Sequence, residues 1–244
     1  CLYCLHKNMV ITFTIFWYSY YAALSGASPY ESFVYTGFNF ALGLPIIFLG
    51  ILDRDITRAF CLKNPQTYST SRSNALLSPM NMLSWFMNGL GYAFMLGALN
   101  YLAFYDTFTD QFIFDMGTTV FTGLVLALQM KIVAMTHQWA FPQVIAMAVS
   151  VGAMFGYFVA CSYFSSEYYE KVPEMYKTGV YWFLGLLTAP LFTSVLVDGM
   201  WFVAQYLFSP TDEMLMREVE LSSVYAADDG KSIRAATSNL ARCG

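Results

Sequence analysis

The chain has 244 residues, of which 57% are hydrophobic and only 11% are charged, and its mean hydropathy is +0.50. Roughly 25% of the residues of a water-soluble domain are charged, so this composition excludes a soluble globular protein. The formal net charge of −4 and the scattered distribution of the 12 Lys and Arg residues exclude a nucleic-acid surface. We therefore expect a polytopic membrane protein that has no nucleic-acid partner.

Six apolar segments are each long enough to cross the hydrocarbon core of a bilayer, which is about 30 Å thick. They are residues 9–24 extended back through residue 1, 33–52, 80–104, 112–135, 141–164 and 180–208. Backbone groups in lipid need partners within the chain, and these segments lack the alternation of barrel strands, so each span is predicted to be an α-helix. The predicted fold is an all-α transmembrane bundle of six spans over residues 1–208.

Basic residues predict the orientation of this bundle, because short loops rich in Lys and Arg stay in the cytosol. Lys131 lies near the turn after the fourth span, and the connection between the second and third spans carries Arg54, Arg58, Lys63 and Arg72. The tail, residues 209–244, is also basic in part, and its Ser, Ala, Asp and Gly content predicts cytosolic disorder. Both ends of the chain are therefore expected in the cytosol.

The ends of the chain and its cysteines carry little chemistry of their own. Cys1 begins the sequence within an apolar segment and no signal-peptide pattern follows, so we interpret the start as lying inside a longer protein. Cys1 and Cys4 form a CxxC without a second pair, which favours packing over zinc or redox chemistry. The five cysteines predict no disulfide framework.

Motifs of soluble enzymes are missing from the sequence. It contains no HExxH, no GxSxG and no Gly-rich phosphate loop, and His6 and His137 are its two histidines. We therefore predict no catalytic residue and no metal site within the chain. The cluster Asp53-Arg54-Asp55, at the end of the second span, is interpreted as a solvated helix end with local charge pairing.

Lys7 does not fit a passive membrane span. A cation inside a transmembrane segment costs a few kcal/mol unless it meets water, a carbonyl or an anion, which makes Lys7 a functional candidate. In the alternative interpretation Lys7 extends to the cytosolic interface, because only six residues precede it. The residues alone leave both interpretations open.

Amides and prolines are the second polar signal in the spans. Asn8 follows Lys7, and Asn39 lies in the second span ahead of Pro45, which frees a backbone carbonyl near residues 40 and 41. Such an opening is typical of polar pathways in transporters. We interpret the remaining residues as structural. Asn88 and Asn100 in the third span are expected to make interhelical contacts. In the last span, Asp198 is expected to pair or to face cytosolic water, and Pro190 to make a packing kink.

These residues together resemble one known family. CLYCLHKN at 1–8, followed by an aromatic-rich helix, is similar to the fifth and sixth transmembrane helices of P4-type ATPases, the ATP-driven phospholipid flippases. The matching positions are Phe16-Trp17, Ser25-Gly26, Glu31-Ser32, Asn39, Pro45, Gly50, Asp53, 64–68 (NPQTY), Lys131, Gln138-Trp139, 167–169 (EYY), Trp182, Pro190 and Asp198. The chain has Pro45-Ile46 where the family commonly has two adjacent prolines.

The resemblance implies a phospholipid translocase whose ATP- and Mg²⁺-binding domains precede this chain. It implies that Lys7 and Asn8 contact the lipid headgroup, with Asn39 as their neighbour on the next helix. The implied partners are a phospholipid, the upstream ATPase domains and a two-span accessory subunit. The implied location is the plasma membrane or the Golgi and endosomal membranes.

Two other classes of function compete with this interpretation. The first is a non-catalytic six-span structural or regulatory membrane protein derived from a split P-type ATPase. It predicts a start codon near Cys1 and no upstream reading frame with the DKTG phosphorylation motif. The second is a secondary transporter or channel, which predicts paired acidic residues in the spans or an inverted repeat, and the sequence has neither.

Overall fold

In the computed structural model the described residues form helices and the turns and loops beside them, and no β-strand occurs among them. These residues are 2–22, 24, 26, 28–30, 32–53, 56–63, 77–104, 112–164, 177, 179–181, 183, 185, 187, 189–208 and 219–220. Several sequence features lie outside them, including 64–68 with its PQTY, 167–169, Trp182 and most of the predicted disordered tail 209–244.

The helices follow the predicted spans closely. They are α1 (Leu2–Tyr21), α2 (Ser32–Leu52), α3 (Arg58–Lys63), α4 (Pro79–Phe104), α5 (Phe112–Met135), α6 (Phe141–Phe164), α7 (Gly179–Tyr181), α8 (Ala189–Phe192) and α9 (Gly199–Phe208). In the described part of the chain, α2, α4, α5 and α6 are the helices long and apolar enough to cross a membrane. The all-α prediction is confirmed. The count of six spans and the cytosolic position of both ends stay predictions.

Pro45 does not end α2, which continues from Ser32 through the proline to Leu52. A proline in a helix interior removes one donor and crowds the carbonyl four residues earlier, here that of Ala41. Transmembrane helices tolerate this because neighbouring groups can satisfy the freed backbone. Helix α2 is therefore continuous past the predicted opening near residues 40 and 41.

Helix α5 forms the centre of the bundle. Its residues are buried on every side, and those with no exposed surface include Leu124, Val125, Ala127, Leu128 and Ile132. A helix that is apolar all round packs in a core or in a membrane. Helices α2, α4 and α8 pack against α5, with a lesser contact from α1.

Two helix pairs flank this centre. Helix α1 packs chiefly against α4, and α2 packs chiefly against α6. Large apolar side chains are exposed on several helices, as expected where lipid is the solvent; they include Phe16, Phe40, Ile51, Phe141, Tyr163, Val195 and Met200. Lys7 on α1 and Asn39 on α2 therefore belong to different helix pairs.

The last predicted span is not a regular α-helix. After α8, which contains Pro190, the chain forms a π-helical segment (Thr193–Asp198) before α9 begins at Gly199. The missing donor and the ring of a proline disturb the normal hydrogen-bond register, and π-helical turns often occur at functional positions. Pro190, where the sequence predicts a simple packing kink, is thus followed by a π-helical segment that ends at Asp198.

The turn between α1 and α2 packs tightly against α5. A Cβ atom on Gly117 would lie 1.9 Å from the carbonyl oxygen of Pro29, so this position requires glycine. The neighbouring Tyr30 is buried and donates its hydroxyl to Thr14 Oγ1 at 3.0 Å. Burial raises the pKa of the Tyr30 phenol above its ordinary value, so it remains a neutral donor.

The chain divides into two compact units. The first comprises Cys1–Asp53 and Pro79–Phe202 and contains all the contacts described so far. The second comprises Arg54–Ser78 and Val203–Gly244, and in it the backbone N–H of Thr57 donates to Glu220 Oε1 at 3.1 Å. Glu220 is buried, so this point of the predicted tail has a defined contact.

Candidate functional site

Lys7 is buried within the first unit, with 6% of its surface exposed. It lies in the second turn of α1, and its ammonium donates to Asn39 Oδ1 on α2 at 3.0 Å. The same nitrogen lies 5.6 Å from the ring centroid of Phe38. The lysine therefore reaches across to the neighbouring helix, and its depth in the membrane, on which the two sequence interpretations differ, stays a prediction.

The predicted site residues are partly brought together. Lys7 and Asn39 are hydrogen-bonded, and Asn39 is exposed although its partner is buried. Asn8 is exposed on α1, and its backbone carbonyl accepts the hydroxyl of Thr12 at 2.8 Å. The structure thus brings the Lys7 ammonium to the exposed amide of Asn39, whereas Asn8 is exposed next to Lys7 in sequence.

The charge of Lys7 has no ionic partner in the described part of the chain. Within that part no carboxylate oxygen lies within 4.0 Å of its nitrogen. An amide oxygen solvates an ammonium but leaves its charge uncompensated, and burial makes such a charge costly. An anionic ligand that reached this point would relieve that cost.

A second buried lysine is fully paired, which makes it a useful contrast. Lys131 on α5 has 2% of its surface exposed, and its ammonium lies 2.7 Å from Asp198 Oδ1. It also donates to Asn88 Oδ1 at 2.7 Å. Three aromatic rings surround the nitrogen at centroid distances of 5.0, 4.9 and 5.3 Å, those of Trp85, Tyr92 and Trp201.

Further hydrogen bonds extend this arrangement to α1. Asn88 Nδ2 donates to Asp198 Oδ1 at 3.1 Å, and the Tyr92 hydroxyl donates to Asp198 Oδ2. His6, beside Lys7 in sequence, lies with Nε2 at 2.8 Å from Asn88 Oδ1. We call His6, Asn88, Tyr92, Lys131 and Asp198 the Lys131 network. It joins α1, α4, α5 and the π-helical segment.

The sequence interpretation missed most of the Lys131 network. It counted Lys131 with the cytosolic loop cations, whereas the residue lies inside α5 and is buried, so it carries no information on orientation. The expected pairing of Asp198 and the interhelical role of Asn88 are both seen. The available signal was a pair of opposite charges in two different spans, which favours an ion pair between them.

Asn100 differs from the expectation. Its Nδ2 donates to the carbonyl of Leu96 in its own helix at 2.8 Å, and not to another helix. Its Oδ1 is buried and has no hydrogen-bond partner among the described residues. The interhelical contact expected of this amide is therefore not formed there.

Asp53 has a more specific role than the predicted solvated helix end. Its carboxylate accepts the backbone N–H of His137 at 3.1 Å and that of Gln138 at 2.7 Å. These residues form the turn between α5 and α6, so Asp53 fastens the end of α2 to that turn. The other two members of the predicted cluster, Arg54 and Asp55, lie outside the described residues.

Metal and thiol chemistry find no support in the part of the chain that the structure covers. No group of three or more His, Cys, Asp or Glu there is placed to hold a metal ion. Cys4, Cys61 and Cys161 are free thiols. The Lys7 ammonium with its neighbouring amide is suited to binding an anion.

This chain is similar in sequence to known proteins. Residues 1–211 match the family described as phospholipid-translocating P-type ATPase C-terminal. The chain is 27% identical over 236 residues to phospholipid-transporting ATPase DRS2 of Saccharomyces cerevisiae, covering 90% of this chain and 17% of that protein. It is 25% identical over 245 residues to phospholipid-transporting ATPase 6 of Arabidopsis thaliana, covering 93% of this chain and 19% of that protein.

A shorter stretch is more similar to a third relative, phospholipid-transporting ATPase 10 of Arabidopsis thaliana. The identity is 35% over 88 residues, which cover 36% of this chain and 7% of that protein. The chain spans less than a fifth of the length of each of these relatives. Because the family match extends over most of its residues, the chain belongs to the phospholipid-translocating P-type ATPase C-terminal family.

Proposed function

We propose that this chain is the C-terminal membrane part of an ATP-driven translocase that moves phospholipid from the exoplasmic or lumenal leaflet to the cytosolic leaflet. The names of the relatives, phospholipid-transporting ATPases, support this assignment. Their greater length supports a longer protein in which other domains hydrolyse ATP. In this arrangement the chain crosses the membrane six times and both of its ends face the cytosol.

The observation that carries the proposal is the uncompensated charge of Lys7. A buried ammonium with only an amide as its hydrogen-bond partner can exchange that amide for a stronger, charged acceptor. Charge-assisted hydrogen bonds are roughly twice as strong as neutral ones, so a lipid phosphate displaces Asn39 Oδ1 from Lys7. The lysine of the ion pair with Asp198 has no such capacity, because a carboxylate already neutralises it.

The two exposed amides complete the headgroup site. Once the phosphate holds Lys7, Asn39 can donate its Nδ2 to a phosphate oxygen, and Asn8 offers a second amide from the other helix. Neither amide adds charge, so the site remains selective for an anion. Since α1 and α2 pack on different neighbours, a shift between the two helix pairs opens and closes the gap between these groups.

ATP and Mg²⁺ are assigned to other domains of the longer protein. The described residues offer no cluster of carboxylates for Mg²⁺, and the sequence has no Gly-rich phosphate loop. This chain's own residues bind, orient and release the lipid headgroup.

We further propose a two-span accessory subunit as a partner and the plasma membrane or the Golgi and endosomal membranes as the location. Both proposals rest on the resemblance to P4-type ATPases. Purification of the full-length protein from its own membranes, followed by identification of the copurifying chains, tests the partner.

The decisive experiment uses the full-length ATPase that carries this segment. Lys7→Ala is expected to raise the lipid concentration for half-maximal stimulation of ATP hydrolysis by about tenfold or more, because a charged hydrogen bond worth about 1.5–3 kcal/mol is lost. The matched control is Lys177→Ala, which removes an exposed lysine. An unchanged lipid response in Lys7→Ala would exclude Lys7 from the lipid path.

The rival interpretation, a non-catalytic structural or regulatory protein from a split ATPase, has a different test. It requires that no DKTG-containing reading frame precede the codon for Cys1 and that no phosphorylated intermediate form from ATP. A continuous frame with that motif, together with a phosphorylated intermediate in the purified protein, supports the translocase.

A further inference from the structure

Two adjacent residues of α1 face different helices. His6 contacts Asn88 on α4, whereas Lys7 contacts Asn39 on α2. Successive side chains on an α-helix point about 100° apart, since the helix has 3.6 residues per turn. The rotation of α1 about its axis therefore decides both contacts at once.

The hydrogen-bond directions in the Lys131 network are determined by its two charges. The ammonium of Lys131 only donates, so the Asn88 atom that faces it is the oxygen, and the carboxylate of Asp198 only accepts, so the atom facing it is the amide nitrogen. The Asn88 oxygen then also faces His6, which must donate from Nε2. A neutral His6 with its proton on Nε2 is the form that fits.

One whole face of α1 is buried against the neighbouring helices. Tyr3, His6, Val10 and Thr14 recur at helical spacing and are all buried. The Tyr3 hydroxyl donates to the backbone carbonyl of Leu128 on α5 at 3.3 Å, one turn before His6 meets α4. This buried face of α1, which borders Lys7, is thus held by directional bonds as well as by packing.

Stability alone does not account for the ion pair at the centre of the network. Desolvating two charges offsets most of their attraction. A protein in which apolar residues of similar volume replace a buried ion pair is often as stable as the original. What apolar residues cannot supply is direction, because they have no donor or acceptor to orient Asn88 toward His6. The network is built to hold α1 in one rotation.

We propose that the Lys131 network is the positioning device for Lys7: through Asn88 and His6 it sets the rotation of α1 that presents the ammonium of Lys7 to α2. This inference rests on the proposed role of Lys7 in headgroup binding. His6, Asn88, Lys131 and Asp198 act through Lys7 in this proposal and are therefore positioning residues.

The test compares two buried amides of the same helix in the full-length ATPase. Asn88→Ala breaks the link to His6, whereas the control Asn100→Ala removes an amide whose nitrogen bonds its own helix. We expect Asn88→Ala to raise the half-saturating lipid concentration by about tenfold, within the range of coupling in a shared network, with little change in maximal rate. Asn100→Ala changes the half-saturating concentration little.

A geometric measurement accompanies the kinetics and does not depend on transport. Cysteines are placed at both contact positions by Lys7→Cys and Asn39→Cys in a background without other cysteines, and the rate of joining them with a short bifunctional thiol reagent is measured. Asn88→Ala is expected to slow this cross-linking, and Asn100→Ala to leave it unchanged. Equal cross-linking rates in all three backgrounds would overturn the positioning role. Equal lipid responses of the two variants would also overturn it if Lys7→Ala itself weakens the lipid response.

The two proposals fail in distinguishable ways. If Lys7→Ala leaves the lipid response unchanged while cross-linking still depends on Asn88, the headgroup role of Lys7 is wrong and the control of α1 rotation stands. If Lys7→Ala weakens the lipid response but the cross-linking rate is the same in Asn88→Ala, the headgroup site stands and the positioning role is wrong.

Discussion

Lys131 and Asp198 form an ion pair at 2.7 Å in which the lysine side chain is 3% exposed and the acid side chain is 15% exposed. Asn88 and Tyr92 supply the carboxylate with further donors. The pair is therefore largely desolvated and both carboxylate oxygens accept hydrogen bonds, the condition under which removal of one partner is most costly.

Replacement of Lys131 alone is expected to destabilise the membrane domain strongly. Lys131→Met leaves the Asp198 carboxylate buried without its cation, which costs about 3–5 kcal/mol. The double variant with Lys131→Met and Asp198→Asn removes both charges and recovers most of that loss. The measurement is the midpoint of thermal unfolding in detergent, and a double variant no more stable than the single one contradicts the prediction.

A carboxylate introduced beside Lys7 is expected to weaken lipid binding. Asn39→Asp keeps the size of the side chain but gives Lys7 an ionic partner, so a lipid phosphate must compete with a charge instead of an amide. The half-saturating lipid concentration should rise by about tenfold and exceed that of Asn39→Leu, which removes the hydrogen bond without adding charge. A tighter lipid response in Asn39→Asp would refute anion binding at Lys7.

Gly117 is expected to tolerate no side chain. In Gly117→Ala the new Cβ would lie 1.9 Å from the Pro29 carbonyl oxygen, so the turn between α1 and α2 must move, at a cost of about 1–3 kcal/mol. Gly152→Ala on α6 is the matched control, because its Cβ would meet no atom within 4 Å and helix propensity favours alanine. The measurement is the midpoint of thermal unfolding of each variant. Equal midpoints for Gly117→Ala and Gly152→Ala would show that the turn moves without cost and contradict the prediction.

Loss of the Asp53 carboxylate is expected to loosen the turn between α5 and α6. Asp53→Ala removes the acceptor of the His137 and Gln138 N–H groups, and hydrogen bonds to charged groups contribute about 1.5–3 kcal/mol. Hydrogen–deuterium exchange at residues 136–140 should therefore accelerate by about tenfold or more. Asp53→Asn keeps one acceptor oxygen, so its exchange rate should lie between those of the unchanged protein and Asp53→Ala. Unchanged exchange in Asp53→Ala would rule out the contact between Asp53 and this turn.

Much of the fold was predictable because it depends on local properties. Four predicted spans agree with the helices at both ends to within one residue: 33–52 with α2, 80–104 with α4, 112–135 with α5 and 141–164 with α6. In lipid the length of an apolar run and the need to satisfy backbone groups leave few alternatives to a helix. The π-helical segment after Pro190 was not predicted, since its register depends on packing against α4 and α5.

The candidate site was predictable only in part. Lys7 attracted notice because a charge in an apolar run is conspicuous, and Asn39 was named as its neighbour through the family resemblance. Lys131 was misjudged because it lies four residues before the end of α5, where a lysine can equally reach the surface. Asn100 was expected to bridge helices but bonds within its own.

The amino-acid sequence by itself determined an all-helical membrane protein with an unusual lysine in its first helix, since composition and apolar length decide both. Only the tertiary structure decided which polar groups meet: His6 with Asn88, Lys7 with Asn39, and Lys131 with Asp198. The physical reason is that these helices are apolar on nearly every side, so no periodic pattern marks which face turns toward a neighbour. Packing sets that rotation, and with it Lys131 is paired with a carboxylate whereas Lys7 is hydrogen-bonded to an amide.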